Sequence, residues 1–150
     1  MINGGLGNDL IFGGAGNDKL YSDEGADKVY GGDGSDSLSS GAGADSLEAG
    51  ADGDVLYGEA GNDLLLGGAG HDHFVFATGT GTDRVKEFVL GMDQIVIDGV
   101  NAAEVKISHH GANLWVQWGT ADKIILTHID PDAIVTAETL GIGPRFDHFA

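Results

Sequence analysis

Residues 4–75 read, nine at a time, GGLGNDLIF, GGAGNDKLY, SDEGADKVY, GGDGSDSLS, SGAGADSLE, AGADGDVLY, GEAGNDLLL and GGAGHDHFV. These eight rows run without a gap from Gly4 to Val75. The sixth column is invariant: Asp9, Asp18, Asp27, Asp36, Asp45, Asp54, Asp63 and Asp72. The eighth is always apolar: Ile11, Leu20, Val29, Leu38, Leu47, Leu56, Leu65 and Phe74. Gly fills the fourth column in seven rows, with Asp52 the exception, and the second in six, with Asp23 and Glu59 departing. A fixed period of this kind signals a stacked repeat.

Nine residues are too few for a helix and a turn, but they suit a six-residue turn and a three-residue strand. Gly in the second and fourth columns permits positive φ and close backbone approach. Strand side chains alternate, so the eighth column points inward while Lys19, Lys28, Ser37, Ser39 and Glu48 point outward. One row buries too little to stand alone, so rows must stack. A turn after each short strand reverses the chain, and two rows, eighteen residues, complete one coil. Four coils make a roll roughly 20 Å long at ~4.8 Å per strand.

Stacking puts Asp9, Asp27, Asp45 and Asp63 on one edge and Asp18, Asp36, Asp54 and Asp72 on the other. At ~5 Å and an effective dielectric of ~20, each neighbouring pair repels by about 3 kcal/mol. Several such pairs rival the whole stability of a domain, roughly 5–15 kcal/mol. Either the roll does not form, or cations sit between the carboxylates. The available ligands are all oxygens, carboxylates and turn carbonyls, which favours Ca²⁺ over Mg²⁺ or transition metals. Three gaps on each edge lead to an expectation of about six calcium ions.

The rows resemble the RTX, or haemolysin-type, calcium-binding nonapeptide GGxGxDxUx. The resemblance implies a right-handed parallel β-roll, or β-helix. It also implies calcium held between rows two apart, by the sixth-column Asp side chains and by carbonyls of the second and fourth columns. On this chain those carbonyls belong to Gly5, Gly7, Gly14, Gly16, Gly25, Gly32, Gly34, Gly41, Gly43, Gly50, Gly61, Gly68 and Gly70. It further implies type I secretion from a Gram-negative bacterium, through an uncleaved C-terminal signal, with folding outside the cell. Type I secretion machinery is then a partner during export.

The rest of the chain differs in composition. Residues 1–75 hold 14 Asp and Glu, two Lys and 19 Gly; residues 76–150 hold 10 Asp and Glu, five Lys and Arg, eight Gly and both Trp. The expected division is therefore a calcium-binding roll over 1–75 and a capping region over 76–150. An open roll end exposes strand edges and needs a cap. Alternation predicts strands at Arg84–Phe88, Gln94–Ile97, Val105–His109, Asn113–Trp118 and Lys123–Leu126 in a mainly antiparallel meander. Asp130-Pro131 and Gly141 bracket a short C-terminal helix over 131–140. The stretch GTDRVKEFVLGMDQIVID is similar to the segment that follows the rows in secreted proteases and lipases. By that resemblance Asp83 completes a last calcium site; read without it, Asp83 is a turn residue capping a strand. The final FDHFA is similar to secretion tails of the protease branch.

Composition narrows the function classes. Cys is absent, which removes disulfides, zinc thiolates and Cys nucleophiles. A formal charge of −17 argues against nucleic acid as a partner. No apolar run is long enough to span a membrane as a helix. No HExxH, GxSxG or paired-carboxylate site outside the Asp columns marks an enzyme. His71 and His73 lack a third ligand at a zinc spacing, so zinc is a minor reading. The leading expectation is a monomeric, secreted module that folds on calcium, supports type I export and stabilises the protein carrying it. The alternative is a carbohydrate-binding accessory module of a polysaccharide-modifying enzyme. For an anionic polymer it requires Arg84, Lys86, Lys106 and Lys123 to share one face. An ice-binding roll ranks last, because no column carries a Thr ladder.

Overall fold

The nine-residue rows fold as short strands joined by tight turns, and the strands stack in parallel. In the computed structural model, which describes residues 1–130 and Leu140, these are β1 (Ile2–Leu6), β2 (Leu10–Ala15), β3 (Lys19–Glu24), β4 (Lys28–Asp33), β5 (Ser37–Ser39), β6 (Ala42–Gly43), β7 (Ser46–Ala51), β8 (Val55–Tyr57), β9 (Ala60–Gly61), β10 (Leu64–Ala69) and β11 (His73–Phe76). Five more follow: β12 (Thr82–Lys86), β13 (Gln94–Ile97), β14 (Lys106–His110), β15 (Asn113–Trp118) and β16 (Asp122–Thr127). They form two eight-stranded sheets that face each other across one apolar column. The first sheet runs β13-β11-β8-β5-β3-β6-β9, with β1 also on β3; the second runs β14-β15-β16-β12-β10-β7-β4-β2.

Register shows why the period is nine. Leu20 pairs with Leu38 and Leu38 with Leu56; Ile11 pairs with Val29, Val29 with Leu47, and Leu47 with Leu65. Each partner lies two rows away, so every eighth-column residue stacks on its own kind. From Leu20 to Phe74 that column is fully buried. At roughly 25 cal/mol per Å² of apolar surface buried, one aliphatic side chain per row contributes about 1.5–3 kcal/mol. A fully ordered nine-residue row costs more than that in conformational entropy. The rows therefore need a further source of stability.

The parallel stack runs about one coil beyond the eight rows. Strands β12 and β13 pair in parallel with β10 and β11, where the sequence suggests antiparallel neighbours. The reason is local. Asp83-Arg84-Val85 and Asp93-Gln94-Ile95 repeat the Asp-x-apolar trio of every row, so both segments drop into the ladder. Insertions in the preceding turns lengthen the step from 18 residues to 20 and 21 and hide the period. The antiparallel part is the β14-β15-β16 meander, and β16 joins it to the parallel stack by pairing with β12.

The core changes character at the same point. Phe76, Phe88, Ile95, Ile97, Leu114, Val116, Trp118, Ile124 and Leu126 pack as one cluster. Trp118 is buried, sits tilted against Phe76 and donates its indole N–H to the Ala77 carbonyl. The helix expected over 131–140 and the FDHFA tail lie outside the described residues, apart from Leu140. Its carbonyl accepts the N–H of Ile95 and covers part of the β13 edge.

Candidate metal centre

Each edge of the roll carries a ladder of carboxylates with one geometry. The backbone N–H of Asp9 donates to Oδ1 of Asp27 at 2.7 Å, that of Asp27 to Asp45 at 2.8 Å, and that of Asp45 to Asp63 at 2.9 Å. On the opposite edge Asp18 donates to Asp36 at 2.8 Å, Asp36 to Asp54 at 2.7 Å and Asp54 to Asp72 at 3.0 Å. From Asp27 and Asp36 onward, Oδ1 of each carboxylate is thus spent on the amide of the coil before it. This fixes the side chain and leaves Oδ2 free to face something else.

Oδ2 is where the sites differ from ordinary turns. In Asp9, Asp27, Asp36, Asp45, Asp54, Asp63, Asp72 and Asp83 this oxygen is buried and accepts no hydrogen bond. A buried carboxylate oxygen without a donor costs several kcal/mol. Eight of them exceed what a domain of this size can carry, roughly 5–15 kcal/mol in net stability. A cation against Oδ2 removes that cost, so the donor set fits a bound metal.

Burial acts on titration in the same sense. Desolvation pushes the Asp54, Asp63 and Asp83 carboxyls up to about 7, only partly offset by the amide each accepts. It also raises Asp36, Asp45 and Asp72. Neighbouring carboxylates of the ladder add to the rise.

The Gly carbonyls expected as further donors stack beside the carboxylates at the same one-coil interval. In the second column Gly14 pairs with Gly32, Gly32 with Gly50 and Gly50 with Gly68. Gly5 pairs with Asp23, whose carbonyl lies against Gly41. In the fourth column the carbonyls of Gly7, Gly25 and Gly43 press against the α-carbons of Gly25, Gly43 and Gly61. Gly16 meets Gly34 in the same way, and Asp52 meets Gly70. A Cβ on Gly43 would fall inside the Gly25 carbonyl oxygen and 3.1 Å from Oδ1 of Asp45. That space is open only to a residue without a side chain.

The three departures from the Gly pattern keep the turn. Asp23, Asp52 and Glu59 all take positive φ, at 71°, 72° and 60°. Among the described residues no three Asp, Glu or His side chains converge on one point. Any ion held here must therefore draw on carbonyls as well as carboxylates. An all-oxygen set of this kind suits Ca²⁺, which accepts many ligands in flexible geometry, better than Mg²⁺.

Three features of the site are not evident from the rows. Asp83 and Asp93 extend the two ladders by accepting the N–H groups of Asp63 and Asp72 at 3.0 and 3.1 Å. The signal for Asp93 is present, an Asp two residues before buried Ile95, but it is out of phase. Unlike the others, Asp93 also accepts the Val89 N–H on Oδ2 at 2.7 Å, so protein donors satisfy both oxygens. The third is a fifth-column ladder, in which Asn8, Asn17 and Asn62 accept the N–H groups of Ala26, Ser35 and Thr82. Asn in the GND triplet of three rows was its visible mark. Neither His71 nor His73 hydrogen-bonds a ladder carboxylate, although both act on the Asp72 carboxyl by charge: His71 meets the Met92 carbonyl through Nδ1, and His73 is exposed.

A family model described as the RTX calcium-binding nonapeptide repeat matches residues 3–38 and 39–74. No curated protein matches the chain by sequence. Among solved structures, the chain is similar to the AlgE6R3 subunit of the Azotobacter vinelandii mannuronan C5-epimerase, at 24% identity and a TM-score of 0.51, over 96% of this chain and 82% of that one. It is also similar to the extracellular lipase LipA of Serratia marcescens, at 18% identity and a TM-score of 0.42, over 91% of this chain. The chain spans 38% of the lipase's length. At these identities the epimerase subunit supports the fold alone.

Proposed function

Residues 3–74 being RTX calcium-binding nonapeptide repeats, we propose that the chain is a non-catalytic module that folds when calcium fills its Asp ladders outside the cell. In that role it supports type I export from a Gram-negative bacterium and the stability of the protein that carries it. The observation that carries this reading is the set of eight buried Oδ2 atoms without a donor.

The proposed ligands are the side chains of Asp9, Asp18, Asp27, Asp36, Asp45, Asp54, Asp63 and Asp72, with the second- and fourth-column Gly carbonyls named above. They hold about six ions, one per gap between successive coils of the rows. Asp83 adds a last site on its edge, since its Oδ2 is orphaned like those of the rows. Asp93 adds none, because its carboxylate is already satisfied by the protein. Bound calcium supplies positive charge between the carboxylates, and the chain's part is to hold Oδ1 on an amide so that Oδ2 is aimed and fixed. In this division residues 1–75 bind calcium and residues 76–150 form the cap on which the coils stack. The module acts as a monomer.

The test is a calcium titration of chelator-treated protein followed by far-ultraviolet circular dichroism, with a magnesium control. The expected result is a cooperative rise of β-structure with calcium and none with magnesium. A spectrum already fully folded in chelator and unchanged by calcium would overturn the reading.

A further inference from the structure

In the rows, the free carboxylate oxygens face the first column of the repeat. A Cβ added at Gly4, Gly31 or Gly67 would stand 2.6, 2.5 or 2.2 Å from Oδ2 of Asp9, Asp36 or Asp72 in the same row. At Gly13 and Gly58 it would stand 3.1 Å from Oδ2 of Asp18 and Asp63. The fourth column meets Oδ1 instead, as at Gly25 and Gly61. Whatever occupies the Oδ2 side therefore shares its space with the first column. Gly leaves that space open in five rows, while Ser22, Ser40 and Ala49 put side chains there, and all three are fully buried.

Buried hydroxyls are not shared evenly between the two edges. Among the described residues, the buried polar residues are nine Asp and three hydroxyl residues, Ser22, Ser40 and Thr80. All three hydroxyls lie in turns of one edge, ahead of Asp27, Asp45 and Asp83. On the other edge the first column reads Gly13, Gly31, Ala49 and Gly67, which supplies no side-chain oxygen. The row of Asp54 instead places the Ala49 methyl group in that column.

Each of the three hydroxyls has already placed its proton. Ser22 donates to the Ser40 carbonyl at 2.9 Å, Ser40 to the Gly58 carbonyl at 2.7 Å and Thr80 to the Ala77 carbonyl at 3.2 Å. A hydroxyl has one proton and two lone pairs, so what remains on each oxygen is an acceptor. The Ser40 and Thr80 hydroxyls stand within reach of the Asp45 and Asp83 carboxylates, and Ser22 holds the same column ahead of Asp27. Yet Oδ2 of Asp27, Asp45 and Asp83 accepts no hydrogen bond. Two acceptor oxygens buried side by side with no proton between them are unfavourable. A cation between them turns both into ligands, and an ion that takes six to eight oxygens has room for a hydroxyl beside carboxylates and carbonyls.

We propose that Ser22, Ser40 and Thr80 are calcium ligands through their hydroxyl oxygens, at the sites of Asp27, Asp45 and Asp83. The inference rests on the calcium reading above and adds side-chain ligands that the pattern of the rows does not contain. Its consequence is an inequality: ions on this edge hold less water than those on the edge of Asp36, Asp54 and Asp72. The test loads the chelator-treated full chain with europium, an oxygen-seeking ion of calcium's size. Its luminescence lifetime in light and heavy water counts the waters bound per ion. The triple variant Ser22→Ala, Ser40→Ala and Thr80→Val keeps every Cβ and removes the three hydroxyls. It is expected to hold more water per ion than the unsubstituted chain. Its calcium midpoint of folding is expected to rise by roughly three- to tenfold, because each replacing water must be immobilised. Ser37→Ala, on the outward side of β5, is expected to change neither. Circular dichroism in calcium reports whether the triple variant folds, and the three single variants are read in the same way if it does not. A raised midpoint with an unchanged water count would reduce the hydroxyls to ties between coils and overturn the proposal, as would no change in either quantity. An unsubstituted chain that binds neither europium nor calcium would overturn the calcium reading itself, a result distinct from any given by the variants.

Discussion

The eight rows and the structure that follows them solve the same problem in different ways. In residues 4–75 the core is one side chain per row, and each row from Asp9 to Asp72, that of Asp18 aside, buries a carboxylate oxygen without a donor. Beyond Phe76 the chain packs aromatic and aliphatic residues from five strands, and its buried carboxylates are mostly satisfied from within. Asp93 accepts two amides, and Asp122 accepts those of Gly79 and Gly81 at 3.0 and 3.1 Å. Asp83 sits at the junction, in the ladder on Oδ1 and orphaned on Oδ2. Stability that comes from packing is present at all times. Stability that depends on a cation can be switched by the concentration of that cation.

The largest expected effect that would sharpen this contrast is backbone crowding in the rows. Gly43→Val drives a side chain into the Gly25 carbonyl and is expected to cost about 4 kcal/mol or more, enough to prevent the roll from forming in calcium. Gly111→Ala, in the β14–β15 turn with open space around it and φ of 65°, is expected to cost only about 1 kcal/mol. Thermal melts of the two variants in calcium check this, and equal losses would break the comparison.

Next in size are the carboxylates. Asp63→Asn is expected to move the calcium midpoint of folding up by roughly tenfold, about 1.4 kcal/mol, while leaving the calcium-free state little changed. Asp122→Asn is expected to lower stability by about 1–3 kcal/mol in calcium and chelator alike, because its partners are amides of the protein. Calcium titrations and chemical denaturation of both variants separate the two behaviours.

Acidity should act in opposite directions with and without the metal. Burial raises the folded-state carboxyls of Asp54, Asp63 and Asp83 to about 7 from the ordinary 3.8. For such a group the folded state holds the proton more tightly, so its contribution is complete below the unfolded value and is lost as pH rises through the folded one. In chelator, acidification from about pH 8 to about pH 5 is therefore expected to increase β-structure. In calcium, protons compete with the ion for the same oxygens, and the calcium midpoint should rise over that fall in pH. Circular dichroism across pH in the two conditions checks both signs. The smallest effect belongs to the meander: Trp118→Phe, which keeps the ring against Phe76 but loses the bond to Ala77, is expected to cost about 1 kcal/mol independent of calcium.

How much of this was legible follows from where the period is unbroken. Through Phe74 the eighth column is the core and the sixth column is the ladder, because an eighteen-residue coil maps sequence spacing directly onto spatial stacking. Positive φ at Asp23, Asp52 and Glu59 shows that the turn is held by the stack even where Gly is missing. Past Val75, insertions break the mapping. Asp83 is legible only through the resemblance of its stretch to the segment that follows the rows in secreted proteases and lipases, while Asp93 stays hidden, although its trio with Gln94 and Ile95 has the form of a row. The parallel pairing of β12 and β13 was missed for the same reason, since alternation identifies a strand but not the direction of its neighbour. The use of Oδ1 to hold the preceding amide, and the Asn ladder beside it, depend on side-chain direction, which spacing does not report.

The most direct measurement of the central claim is hydrogen exchange, resolved along the chain, in chelator, in magnesium and in calcium. The account predicts that amides of residues 4–75 exchange freely in chelator and in magnesium and become protected together in calcium, while those of β14–β16 are the best protected without it. Equal protection of the rows in all three conditions would contradict it.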